Sequence, residues 1–263
     1  MSEPFDRVAT ATSENPEYLE SVALVATAWR KFFPGIAVSV AFVTERDESD
    51  PLVRRMAEFA DVRLYRPMPG VPVGNLAKVS RYLVAAEYPY EVSMIVDADT
   101  APLQRAWYLE RTAMRRPGHL LAMFGDAYKD TSHAGKFPAH GTTAEGHLFR
   151  RLLPPHFLAM ARGLRLMDHK EALTCGSDTF SDESLVRALI RMTGVPVQYV
   201  PQPVAEADRI DRSNWHLDAD RLAAGGYVET NLPRPLSAHW EHVAPIASYL
   251  YGRDVTMADV VLS

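Results

Sequence analysis

Apolar and polar positions alternate in two rhythms over the first hundred residues of the chain. Arg7-Val8-Ala9-Thr10-Ala11-Thr12 predicts a short strand, and the polar Ser13-Glu14-Asn15-Pro16 predicts a turn with proline at a helix start. Tyr18, Val22, Val25, Trp29 and Phe32 then recur at helical spacing, and the helix they predict stops before Pro34-Gly35. Residues 36–43 form a continuous apolar run, as expected of a strand covered on both faces. A helix over about 52–59, a strand at 62–65, a helix from Gly74-Asn75 to Glu87 and a strand at 92–96 complete the series. This alternation predicts a parallel sheet covered by helices.

Further along, the rhythm weakens. Residues 125–147 are rich in Gly, Thr, Lys and His without periodicity, so they read as a binding loop or lid, or as a plain surface excursion. A helix is predicted over 184–191 and a strand over 196–200; the remainder is punctuated by Pro201, Pro203, Pro233 and Pro235. No internal repeat is present. With 263 residues, the expectation is one α/β domain over 1–263. Its form would be Rossmann-like, with a mostly parallel central sheet flanked by helices and a less regular C-terminal region.

Composition narrows the partners more than the fold. Apolar residues at 47% and charged residues at 23% are ordinary for a globular protein. A formal charge of −5 speaks against a nucleic-acid partner, which would attract a strongly basic surface. Cys175 is the only cysteine, which excludes an intramolecular disulfide and a cysteine-based zinc site and fits a reducing compartment. The start, Met1-Ser2-Glu3-Pro4-Phe5-Asp6, has neither the basic residues nor the apolar run of a signal peptide, and no run of 18 apolar residues occurs. The expected location is cytoplasmic, without a transmembrane segment; a peripheral membrane contact stays open.

Asp-x-Asp is a weak motif by itself, and the chain contains it twice. Asp218-Ala219-Asp220 precedes Arg221-Leu222-Ala223-Ala224 and reads as a helix start, where acids favour the positive end of the helix. Asp97-Ala98-Asp99 instead follows a buried-looking strand, and ligands of open α/β sheets bind beyond the carboxyl ends of strands. Two carboxylates with a small residue between them suit a hard divalent cation that bridges two phosphates. A turn of two solvated acids is the plainer alternative.

The stretch Lys78-Val79-Ser80-Arg81-Tyr82-Leu83, then Tyr88, then Met94-Ile95-Val96-Asp97-Ala98-Asp99-Thr100 resembles the glycogenin-like glycosyltransferases. The resemblance covers about 30 residues. It implies a GT-A fold, a nucleotide-diphosphate sugar donor (a UDP- or GDP-sugar), Mn2+ or Mg2+ on Asp97 and Asp99, and a carbohydrate or glycolipid acceptor. It also implies a nucleotide-binding half over 1–100 and an acceptor-binding half over 101–263. Lys78 would contact the donor or its phosphates, although it reads equally as a surface lysine of an amphipathic helix. Thr10, Ala11 and Thr12 would receive base and ribose. In Ser237-Ala238-His239-Trp240 the resemblance implies a late metal-binding histidine, His239, with His242 as the competitor. The family's following Gly and Lys-Pro-Trp are replaced here by Glu241-His242-Val243-Ala244.

Asp182 and Glu183 sit where a helix is predicted to begin, a place at which enzymes of this type present a carboxylate to acceptor or donor sugar. There they would act as a base in an inverting reaction or support an oxocarbenium-like sugar in a retaining one, which the resemblance favours. Ser181-Asp182-Glu183-Ser184 also reads as a simple helix start. Two other functions share such a sheet. A sugar nucleotidyltransferase needs a glycine-rich basic loop after the first strand, where this chain has Thr10-Ala11-Thr12-Ser13-Glu14-Asn15. A non-catalytic nucleotide-sugar-binding protein has no distinguishing mark in sequence. No His-Glu-x-x-His or nucleophile elbow suggests a hydrolase.

Overall fold

The computed structural model describes residues 3–126, 136–153, 182–201 and 208–262. Cys175, Pro203, the stretch 176–181 and part of the 125–147 segment lie outside the described residues.

The first hundred residues build the parallel sheet that their pattern predicts. Strands β1 (Arg7–Ser13), β2 (Ala37–Val43), β3 (Asp61–Tyr65) and β4 (Val92–Ile95) pair in parallel in the order β3-β2-β1-β4. Helices α1 (Pro16–Leu19), α2 (Val22–Phe32), α3 (Pro51–Ala57) and α4 (Val73–Glu87) connect them. Pro16 and Pro51 both stand at helix starts, capped by Asn15 and Asp50, whose side chains accept from the Glu17 and Leu52 N–H groups. One helix was expected over 18–32, but two form. The break falls at Glu20 and Ser21, whose side chains are held by distant partners: Glu20 by Ser237, and Ser21 by the Ala98 carbonyl.

The sheet continues through β7 (Thr142–Glu145), which lies antiparallel between β4 and β6 (Leu120–Ala122), and ends with β8 (Val197–Tyr199) parallel to β6. The 125–147 segment, expected to be irregular, thus supplies a central strand. Four residues are too few to show a period, and the threonines look like loop residues. Yet Thr142, Thr143 and Ala144 are fully buried, and β-branched threonine suits a pleated interior.

The proline-rich C-terminal region also resolves into regular elements. Strands β5 (Thr100–Pro102), β9 (Arg209–Asp211) and β10 (Glu229–Asn231) form a second sheet in the order β5-β10-β9, with β10 antiparallel to β5 and parallel to β9. The helices here are α5 (Arg105–Ala113), α6 (Gly146–Leu152), α7 (Asp182–Thr193), α8 (Ala219–Ala223), α9 (Trp240–Tyr251) and α10 (Met257–Val260). Helix α8 starts as the second Asp-x-Asp predicted, with Asp218 accepting from the Arg221 N–H. Helix α9 tolerates Pro245 in its interior.

Side-chain alternation along the strands divides the core between the two faces of the large sheet. Val8, Val38, Val40, Phe42 and Met94 join the core around Trp29 and Tyr108, while Ala9, Ala41, Val43 and Ile95 join the core under α4 and α6. From β1 the chain moves to β2 and β3 on one side, and β4 returns on the other. That reversal opens a crevice at the carboxyl ends of β1 and β4, the place where open α/β sheets take their ligands.

Candidate functional site

A cleft of about 230 Å3 occupies this crevice. Ala11, Thr12 and Ser13 from the end of β1 form one wall, and Gly74, Ala77, Lys78 and Arg81 from α4 form another. Asp97, Ala98 and Asp99 form its floor, and Glu183, Arg212 and Arg234 reach it from the second half of the chain.

The floor is held by its backbone. The Asp97 N–H donates to His140 Nδ1 at 3.2 Å, the Ser21 hydroxyl donates to the Ala98 carbonyl at 2.8 Å, and the Leu232 N–H donates to the Asp99 carbonyl at 2.7 Å. Each residue of the tripeptide is therefore tied to a different segment of the chain. A short side chain at Ala98, 4% exposed, fits the packed space beneath.

The two carboxylates stand in opposite electrostatic settings. Asp97 opens into the cleft, with its side chain 44% exposed, and Oδ1 receives Arg81 Nη1 at 2.5 Å. Desolvation inside the protein walls pushes its carboxyl up, but the charge and hydrogen bond of Arg81, with Arg209 behind it, outweigh this and bring it down to about 2. Asp99 is buried, and its Oδ2 receives Arg212 Nη1 at 2.5 Å with Arg234 Nε at 3.4 Å. Burial, reinforced by repulsion from Asp97, raises its carboxyl despite both arginines.

Behind Asp97 lies a buried polar layer. Because His140 Nδ1 accepts from the Asp97 N–H, its proton sits on Nε2, which lies 3.3 Å from Glu229 Oε2. Glu229 is fully buried; it also accepts from the Tyr108 hydroxyl at 2.7 Å, and its Oε1 pairs with Arg209 Nε at 3.0 Å. Desolvation raises this carboxyl, and Arg209, His140 and Tyr108 together overcome it, leaving it at about 2.

The fold gathers most of the residues singled out in sequence. Ala11, Thr12, Lys78, Asp97, Ala98, Asp99 and Glu183 all line the cleft. Thr10 does not; it is 2% exposed and lies beneath that wall. Asp182 begins α7, and its side chain lies outside the description. His239 lies in a 3-10 turn with its ring stacked on His242 at 6.3 Å, and neither is among the described residues lining the cleft. Among the described residues no three His, Cys, Asp or Glu side chains gather as a metal-binding group. A pair of carboxylates at the cleft floor still fits a cation that keeps waters and takes its remaining ligands from substrate phosphates, as Mg2+ does.

Sequence reasoning passed over Arg81, Arg212, Arg234, His140 and Glu229. Only Arg81 left a trace. It interrupts the apolar run of α4 and is 5% exposed, and a buried guanidinium needs a carboxylate partner.

No protein-family model matches the chain, and no curated protein matches it. Among solved structures it is similar to the glycosyltransferase GlyE of Streptococcus pneumoniae TIGR4, at 10% identity over 98% of this chain and 65% of that one, with a TM-score of 0.48. It is similar to the galactosyltransferase LgtC in complex with donor and acceptor sugar analogs, at 12% identity over 95% and 96% of the two chains, TM-score 0.46. A third is the mannosyltransferase PcManGT from Pyrobaculum calidifontis, solved with GDP-Man and Mn2+, at 14% identity over 77% of this chain and 57% of that one, TM-score 0.46. The chain spans less than two thirds of the lengths of GlyE and PcManGT.

Proposed function

We infer that the cleft binds a nucleotide-diphosphate sugar, a UDP- or GDP-sugar, and that the chain transfers the sugar to a hydroxyl of a carbohydrate or glycolipid acceptor. The observation that carries this is the position of Asp97-Ala98-Asp99: at the carboxyl end of β4, beside the end of β1, on the floor of a cleft at the topological switch point.

Ala11 and Thr12 offer the wall for the nucleoside, with Thr10 supporting it from beneath, and Lys78 faces the diphosphate from α4. Asp97 and Asp99 are the residues that would hold Mn2+ or Mg2+; when bound, such an ion neutralises charge on the departing diphosphate. Glu183, which lines the cleft, is the carboxylate that would face the sugar or acceptor hydroxyl, with Asp182 beside it in sequence. In this scheme residues 1–100 form the nucleotide-binding half, and 101–263 the acceptor-binding half. The turn after β1 disfavours a nucleoside triphosphate. It contains no glycine, and its Glu14 is engaged with Thr44 and Arg46.

The first test is a thermal-shift panel of nucleotide sugars with and without Mn2+, on the wild type and Asp99→Asn. A ligand present at a hundred times its dissociation constant adds about 2.7 kcal/mol of stability. The expected result is a shift for one donor that grows when the metal is added and loses that metal-dependent part in Asp99→Asn, followed by release of the nucleoside diphosphate on incubation with acceptor. No shift with any nucleotide sugar would remove the donor assignment.

A further inference from the structure

Four cations, Lys78, Arg81, Arg212 and Arg234, line the cleft against three carboxylates, Asp97, Asp99 and Glu183. That is a local excess of positive charge in a chain whose formal charge is −5. Lys78 and Arg81 come from α4. Arg212 and Arg234 come from the other half of the chain and converge on one buried oxygen, Asp99 Oδ2.

Both guanidiniums are anchored so that part of each fork is spare. Among the described residues every hydrogen bond of Arg212 runs through Nη1: to Asp99 Oδ2 at 2.5 Å, Asn231 Oδ1 at 2.8 Å and the Leu232 carbonyl at 3.5 Å. Its Nε and Nη2 make none. Arg234 meets Asp99 through Nε at 3.4 Å and lies over the Tyr18 ring at 4.5 Å, which leaves its Nη1 and Nη2 without a hydrogen bond among the described residues. Their side chains remain 31% and 22% exposed. A planar fork with free N–H groups, oriented by an aromatic face and a fixed backbone, is suited to paired phosphate oxygens. One shared carboxylate leaves two such forks undersupplied with acceptors.

We propose that Arg212 and Arg234 form an anion-binding pair for the donor's diphosphate, with Asp99 as the counter-ion they hold while no donor is bound. This rests on the donor reading of the cleft. It adds that the C-terminal half supplies phosphate ligands as well as acceptor contacts. It also makes Asp99 available to a cation only when an anion draws the guanidiniums away from it. Cation and diphosphate then bind cooperatively, and the diphosphate is able to bind alone.

The test uses inorganic pyrophosphate as the probe, in EDTA, by titration calorimetry on the full chain. Wild type is expected to bind it without metal. Arg212→Lys and Arg234→Lys, which keep a charge beside Asp99 and so protect folding, should each bind about tenfold more weakly because the fork is lost. Asp99→Asn, which frees the pair, should bind more tightly, and that gain should vanish when it is combined with Arg212→Gln. Circular dichroism confirms that each variant is folded. Absence of pyrophosphate binding by the wild type, or lysine variants within about twofold of it, would overturn the pair. Metal-dependent nucleotide-sugar binding that persists in variants indifferent to pyrophosphate would sink this proposal and leave the donor reading standing. Pyrophosphate binding with no response to any nucleotide sugar would do the reverse.

Discussion

At the scale of single residues, the polar layer behind the cleft floor ties stability to pH. Glu229 has its carboxyl depressed to about 2 in the folded protein, against 4.5 as its ordinary value. A depressed carboxyl stabilises the fold above its unfolded value, and that stability is lost as pH falls toward the folded one. The groups facing it are His140, Tyr108 and Arg209, and it is fully buried, so solvent screens little of the effect. On the order of 3 kcal/mol should therefore disappear between about pH 5 and pH 2. In Glu229→Gln that part of the acid denaturation profile should flatten, as followed by urea unfolding at a series of pH values. Ser21→Ala tests the floor itself. Losing the hydrogen bond to the Ala98 carbonyl should cost about 1 kcal/mol, and donor affinity should fall more than a remote change of that size explains. Asp97 and Asp99 were legible in sequence because strand and acids are contiguous. His140 was not, since its contact with Asp97 spans 43 residues, and the Arg212 contact with Asp99 spans 113. Local patterns carry no record of such pairings.

Among the elements, length decided what could be read. Helix α4 with its 15 residues and β2 with its continuous apolar run announced themselves, whereas β5, β6 and β7 have three or four residues each and no period to detect. Their places in the sheets come from tertiary pairing. Helix α9 was hidden by Pro245, which normally argues against a helix interior. One packing contact makes a sharp prediction. A Cβ at Gly146 would stand 2.1 Å from the Tyr88 carbonyl oxygen and 2.6 Å from that of Ala85, so α6 meets the end of α4 backbone to backbone. Gly146→Ala must push these helices apart, at a cost of about 1–3 kcal/mol, seen as a lower urea midpoint with an unchanged slope. Gly74, where an added Cβ meets nothing within 4 Å, is the matched control and should tolerate alanine.

For the molecule as a whole, a net charge of −5 would repel the proposed anionic donor at a distance, whereas the cations lining the cleft would attract it. Raising ionic strength from about 0.05 to about 0.5 M should weaken donor binding severalfold, because partly exposed guanidiniums are screened. Insensitivity to salt would mean that the cleft's cations do not meet the ligand. Among the described residues no helix is long and apolar enough to cross a membrane. The antiparallel insertion of β7 has its own consequence, for how the protein is made. Strand β4 takes β1 on one edge and β7 on the other. During synthesis residues 92–95 leave the ribosome well before 142–145, and at about 5–20 residues per second the far edge of β4 stays bare for several seconds. An uncovered central strand is a template for other chains. A fragment ending near residue 100 should therefore aggregate rather than fold, and nascent chains of that length are the ones expected to need a chaperone.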